Sequence, residues 1–176
     1  MKKAQAVRRI YLGKYLFTAA VLLAAAAALL YWKIGLSQRD EVLIREHLHT
    51  LANNMSKSDG ESTAAALLKV KGIAGAFADP MTLAMAHYAA GEFDKERLLS
   101  SAGRYRTMIG KAQVSASDIT VEFTGKTQAK VYFSGKFSGV LKNGMSDTII
   151  KDIEANLIKT DGKWLIKSMK FSDVLH

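Results

Sequence analysis

Cysteine is absent from this chain, and proline occurs once, at Pro80. With no thiol, a disulfide framework, a thiolate metal site and a cysteine nucleophile are all excluded. Charge is missing from another place: the eighteen residues from Tyr15 to Trp32 contain none, and the first 32 residues hold no Asp or Glu. A helix of that length spans roughly 27 Å, close to the ~30 Å hydrocarbon core that a spanning segment must cross. Tyr11 and Tyr15 stand before the run, and Tyr31 and Trp32 close it, where amphipathic rings suit the two headgroup layers.

Five basic residues (Lys2, Lys3, Arg8, Arg9, Lys14) precede the run, whereas charges of both signs follow it. That asymmetry keeps the N-terminus in the cytoplasm. The expectation is a cytoplasmic basic tail over 1–14, a transmembrane signal-anchor helix over 15–34 embedded in the lipid bilayer, and one exported domain over 35–176. The localisation implied is a single pass through a bacterial inner membrane, with the C-terminal domain periplasmic or otherwise extracytoplasmic. A cleaved signal peptide has the same beginning, but Leu29 to Trp32 continue the apolar run past the small residues Ala24 to Ala28, so retention is expected. Ala20, Ala24 and Ala28 recur at every fourth position, a small-residue stripe able to support a homodimer through the anchor.

The first 32 residues hold five of the 25 basic and none of the 16 acidic residues, so the remainder carries 20 against 16, a net charge of +4. Its Lys and Arg are scattered among strand positions and form no stripe interleaved with aromatics, so nucleic acid is not an expected partner.

Hydrophobic spacing predicts a helix to about Lys57, with Val42, Leu43, Glu46, Leu48 and Leu51 marking a partly apolar face, and a break at Ser58-Asp59-Gly60. A second helix is predicted from Glu61 to Phe77, burying Leu67, Leu68, Val70, Ile73, Ala74 and Phe77, with Gly72 and Gly75 permitting close packing and Asp79-Pro80 ending it. A short strand, Thr82 to Tyr88, and a helix capped by Asp94 from Lys95 to Lys111 follow. From Val114 the period becomes two. Turns at Gly125-Lys126, Asn143-Gly144 and Asp161-Gly162 divide the rest into a meander of four long antiparallel strands. Helices first and strands afterwards make an α+β domain.

This order of elements resembles the nuclear transport factor 2-like superfamily, also called the SnoaL-like or cystatin-like cone. The resemblance rests on Phe77-Ala78-Asp79-Pro80 before the short strand, the helix from Lys95 before the meander, and the closing segments Asp161 to Ile166 and Phe171 to Leu175. It covers roughly residues 38–176. It implies three helices packed on a curved sheet, with a conical pocket between them in which the superfamily's enzymes place Asp, His and Tyr side chains. The frame serves isomerases, dehydratases and scaffolds alike, so fold leaves function open.

Eight residues are expected to line such a pocket: Phe77, Met81, Met85, His87, Tyr105, Phe133, Phe137 and Trp164. His87 is in register with Leu83 and Met85 on the short strand. The candidate carboxylates Asp118, Asp152 and Glu154 alternate with apolar positions and are expected to face water. His47 and His49, two apart on one helix, lack the four-residue spacing of a zinc helix and read as solvated. The expected pocket is therefore apolar, without catalytic residues, metal or cofactor. The reading is a membrane-anchored, non-enzymatic domain that binds an apolar ligand or an envelope protein. Two alternatives stand beside it. One is a bitopic scaffold subunit of an envelope or secretion assembly, resembling the inner-membrane core component of type IV secretion systems; the other is an enzyme of the SnoaL-like or ketosteroid-isomerase-like kind.

Overall fold

The structure, a computed structural model, describes residues 38–85, 89–141 and 144–173. The expected anchor, its alanine stripe, His87, Tyr88 and His176 lie outside these residues. No helix among the described residues is long and apolar enough to cross a membrane. Residues from Glu41 onward form one compact unit.

The first helix, α1, occupies residues 38–55. It buries Ile44, Leu48, Leu51 and Ala52, the three- and four-residue steps that place side chains on one face. Val42 and Leu43, expected on that face, are exposed at 54% and 40%, because the step back from Leu48 lands on Ile44. The second helix, α2, is Thr63–Gly75 and begins where the Ser62 hydroxyl accepts the Ala65 N–H. It is two residues shorter at each end than expected. Its buried residues are Ile73 and Ala74, while Leu67 and Leu68 face outward, a correction to the predicted core. At Gly72 an added Cβ would lie 2.4 Å from Asn54 Nδ2 of α1, so there the absence of a side chain lets the helices approach; Gly75 meets nothing.

The predicted short strand is longer and has a partner. β1 is Phe77–Met85 and runs through Pro80, preceded by a cis peptide bond. It pairs with β2, Ala89–Phe93, from Met81↔Phe93 to Met85↔Ala89. Proline, lacking a donor, sits where the β1 ladder is irregular between Phe77 and Thr82. After Asp94, whose carboxylate accepts the Arg97 N–H at 2.7 Å, α3 covers Lys95–Met108. The long strands are β3 (Ile109–Phe123), β4 (Gln128–Leu141), β5 (Ser146–Thr160) and β6 (Lys163–Asp173).

The sheet is six-stranded in the order β2-β1-β6-β5-β4-β3. β1 lies parallel to β6, and every other pair is antiparallel. The expected antiparallel sheet of four strands and one short extra is thus corrected to a mixed sheet. The meander itself is as predicted: Asp161 and Gly162 both take positive φ, 51° and 77°, as a tight two-residue hairpin turn requires. One irregularity breaks the alternation of β3, where Asp118 adopts φ 54° and the register with β4 shifts between Ser117 and Thr120. This bulge keeps Ala116 and Ile119 on the same face despite their odd spacing.

Candidate functional site

One face of the sheet carries Val131, Ala155, Leu157 and Ile166, each at most 1% exposed, together with Trp164 at 3%. They share a core with Ile44, Leu48 and Leu51 of α1. The Trp164 and Phe123 rings meet at 6.0 Å between centroids. This end of the concave face is filled.

Burial declines along the strands toward the β4–β5 hairpin. Leu83, Phe137 and Phe171 are half-buried, and Ile149 is 41% exposed. Alternation places Phe137 and Ile149 opposite each other on β4 and β5, and Ile153 opposite Phe171 on β5 and β6. Tyr105 of α3 presents its ring edge to Phe137, with centroids 6.4 Å apart. The missing side chain of Gly135 on β4 leaves the space that Ile153 fills: a Cβ there would fall 2.7 Å from Ile153 Cδ1. Lys151 is half-buried between Ile149 and Ile153 on the same alternation, facing Gly135 in register. The open end of the concave face is the candidate site, an apolar surface of Leu83, Tyr105, Phe137, Ile149 and Phe171 with one cationic residue.

A polar knot under α3 fixes Tyr105. The last carbonyls of α1 and the one just after it, left without helical partners, are taken up by side chains: Tyr105 Oη donates to Met55 O at 3.1 Å, Arg106 Nη1 to Asn54 O at 2.9 Å, and Lys69 Nζ to Ser56 O at 3.0 Å. Cations at a helix C-terminus also complement its dipole. Glu61 receives Arg106 on one oxygen, and the Lys69 ammonium stands 2.9 Å from the other. Burial alone would raise the Glu61 pKa, but the hydrogen bonds from Arg106 and Lys69 outweigh it and hold the carboxyl below its ordinary value. For Tyr105, burial dominates, and its phenol is pushed up to about 12 against a partial opposing effect of Arg106.

Of the eight predicted pocket residues, Tyr105 and Phe137 are brought together at the open end. Phe77 is half-buried at the edge of the core, Phe133 at 8% and Trp164 at 3% are within it, and Met81 is buried at 1%. Met85 is part of β1, opposite Phe171; its side chain and His87 lie outside the described residues. Leu83, Ile149, Phe171 and Lys151 were not predicted at the site. The alternation that placed Ile149 and Ile153 inward places Lys151 and, across β5 and β6, Phe171 with them. His47 is half-buried, contrary to the solvated reading: its Nε2 lies 3.0 Å from Ala76 O, and burial lowers its pKa despite that hydrogen bond.

The opposite face is a polar ladder. Lys130 pairs with Glu154 at 2.9 Å, Ser134 Oγ donates to Asp152 at 3.0 Å, and Asn156 Nδ2 donates to Ser168 at 2.9 Å. A depression of about 350 Å³ on this face is lined by Asp118, Tyr132, Ser134, Asp152, Glu154 and Ser172. The three carboxylates thus stand on the outer side of the sheet, as their alternation predicts. Among the described residues, no three His, Asp or Glu side chains gather to hold a metal ion.

No protein-family profile matches the sequence, and no curated protein does. Solved structures do. A putative scytalone dehydratase from Novosphingobium aromaticivorans superposes with a TM-score of 0.62 at 12% identity, over 81% of this chain and 87% of that one. A putative calcium/calmodulin-dependent protein kinase II association domain from Xanthomonas campestris gives 0.55 at 18%, over 77% and 86%. A protein of unknown function with a cystatin-like fold from Nostoc punctiforme gives 0.54 at 15%, over 75% and 89%. At these identities the likeness is one of fold, an α+β arrangement of helices on a six-stranded sheet.

Proposed function

We propose that this chain is a membrane-anchored, non-enzymatic binding domain that takes an apolar small molecule at the open end of its concave face. The observation that carries this reading is the separation of chemistry from concavity. Asp118, Asp152 and Glu154 occupy the outer face, whereas the concave mouth offers Leu83, Phe137, Ile149 and Phe171, with the Tyr105 hydroxyl committed to Met55 O. Pockets lined by apolar and aromatic groups with few polar ones suit small apolar ligands. The anchor is supported by the uncharged run from Tyr15 to Trp32 and the basic residues before it.

Displacement of an environment-sensitive apolar dye from the full chain in detergent-free nanodiscs tests the binding. Ile149→Asp, at an already exposed position, is expected to abolish dye uptake with little effect on the melting temperature. Turnover of enolisable ketones or dehydratable substrates, lost in a His87→Ala variant, would overturn the non-enzymatic reading. Resistance to alkaline extraction, with a C-terminal domain digestible only from the periplasmic side, tests the anchor.

The scaffold reading is favoured by one feature: Val140, Met145, Ile149 and Ile150 crowd the β4–β5 hairpin, exposed at 41 to 65%. Photocrosslinking from position 145 in intact cells separates the two, since a ligand-binding domain gives no discrete protein adduct there.

A further inference from the structure

The β3–β4 turn, residues 124–127, and the β5–β6 turn at Asp161 and Gly162 lie side by side, joined where the Lys159 N–H donates to Thr127 O at 2.8 Å. Lys126 and Lys163 are exposed on these turns, and half-buried Lys159 holds its ammonium 5.7 Å from the Trp164 ring centre. Asp161 is the one carboxylate on either turn.

The direction of α1 shows where the chain enters relative to these lysines. His47 bonds to Ala76 O, which also accepts the Ile166 N–H, so that turn of α1 lies level with Ile166, Leu157 and Ala129 across the sheet. Ser56, nine residues later, accepts the Val114 N–H, level with Phe137, eight residues farther along β4. α1 therefore runs toward the β4–β5 hairpin, and its earlier turns run the other way. Glu41 lies about 9 Å before His47 along the helix, while the β3–β4 turn lies about 7 Å beyond Ala129. Glu41 itself is paired with Arg45 at 2.7 Å, and Glu46 is the exposed carboxylate beside it. Only residues 33–37 separate Trp32 from the described start of α1, at most about 22 Å of extended chain.

We propose that this lysine-bearing end is the membrane-facing surface of the domain, docking on the anionic phospholipid headgroups of the bilayer that holds the anchor. The inference rests on the anchor proposed above. Its physical basis is charge complementarity at short range: lysines held within a few ångströms of an anionic surface are attracted, and salt screens the attraction over about 10 Å. Attachment at the same end keeps those lysines near the surface, so each pays little additional translational cost for contact.

The absence of cysteine makes the test clean. A fluorophore is placed on the full chain at Thr127→Cys or, at the far end, Ser146→Cys, in vesicles of phosphatidylcholine with or without phosphatidylglycerol. In anionic vesicles at low salt, the label at 127 is expected to be several-fold less accessible to a neutral aqueous quencher than the label at 146. High salt, or a Lys126→Ser, Lys159→Ser, Lys163→Ser triple variant, should remove the difference. Equal accessibility in chains that float with the vesicles overturns the docking and leaves the anchor intact. So does protection at 127 that survives both salt and the triple variant. Chains that do not float overturn both.

Discussion

Arg106, in the last turn of α3, closes an ion pair with Glu61 ahead of α2, and each side chain is 4% exposed. Because Arg106 also holds Asn54 O, the pair ties three helices together beneath the candidate site. Breaking a buried pair by removing one partner leaves the other charge desolvated and unpaired. Arg106→Met is expected to cost about 3–5 kcal/mol in urea unfolding, and Glu61→Gln a similar amount. Lys69→Met should cost less, because its side chain is 26% exposed and partly solvated ion pairs contribute less.

The same carboxylate sets an acid limb. The Glu61 pKa is held below 4.5, so its contribution is complete above that value and is lost as pH falls through the lower folded-state value. Melting temperatures followed below pH 4.5 should fall less steeply in Glu61→Gln than in the parent chain, starting from a lower plateau.

His47 acts in a higher pH window with the same sign. Burial lowers its pKa from 6.5, so the fold favours the neutral ring, and that preference is present above 6.5 and lost as pH falls through the folded-state value. In His47→Gln, whose amide can still donate to Ala76 O, the loss of stability on going from pH 7 toward pH 5 should be smaller than in the parent. Equal slopes in the two proteins would show that the ring does not titrate with folding.

Much of this was legible in the sequence where the pattern is strong. The four long strands followed from alternation, and Asp161-Gly162 fixed a hairpin because only residues tolerant of positive φ suit it. The β1–β2 hairpin was hidden because alanines at 84, 86, 89 and 90 erase the contrast between faces, and a proline ordinarily argues against a strand. Leu67 and Leu68 misled because α2 is apolar around most of its circumference, so periodicity could not select the buried side. At the site, Tyr105 and Phe137 were reachable from the sequence. The filled end around Trp164 was not, since burial depends on how far α1 extends over the sheet.

Gly72 and Gly75 look alike in sequence and differ in space. Gly75→Ala meets no atom within 4 Å and is expected to stabilise by about 0.5–1 kcal/mol through reduced unfolded-state entropy. Gly72→Ala has the same entropic advantage, but its methyl group requires the Asn54 amide, 2.4 Å away, to move. No gain is expected there, and comparing the two melting temperatures checks the close approach of α1 and α2.

Tyr105 joins the knot to the site, and its titration reports both. With its phenol raised to about 12 by burial, the fold favours the neutral hydroxyl that donates to Met55 O. The sign follows: its contribution is full below the unfolded value near 10 and is lost as pH rises toward 12. Ultraviolet titration should show a late tyrosine step near pH 12, and Tyr105→Phe should remove that step. At neutral pH the variant gives up one hydrogen bond, about 1 kcal/mol, and leaves the end of α1 with an unmet carbonyl. Above pH 10 its stability should decline more slowly than the parent's. Because the ring and its contact with Phe137 remain, dye binding at the concave mouth should be nearly unchanged; a large loss of binding would mean that the hydroxyl contacts the ligand directly and is not reserved for Met55.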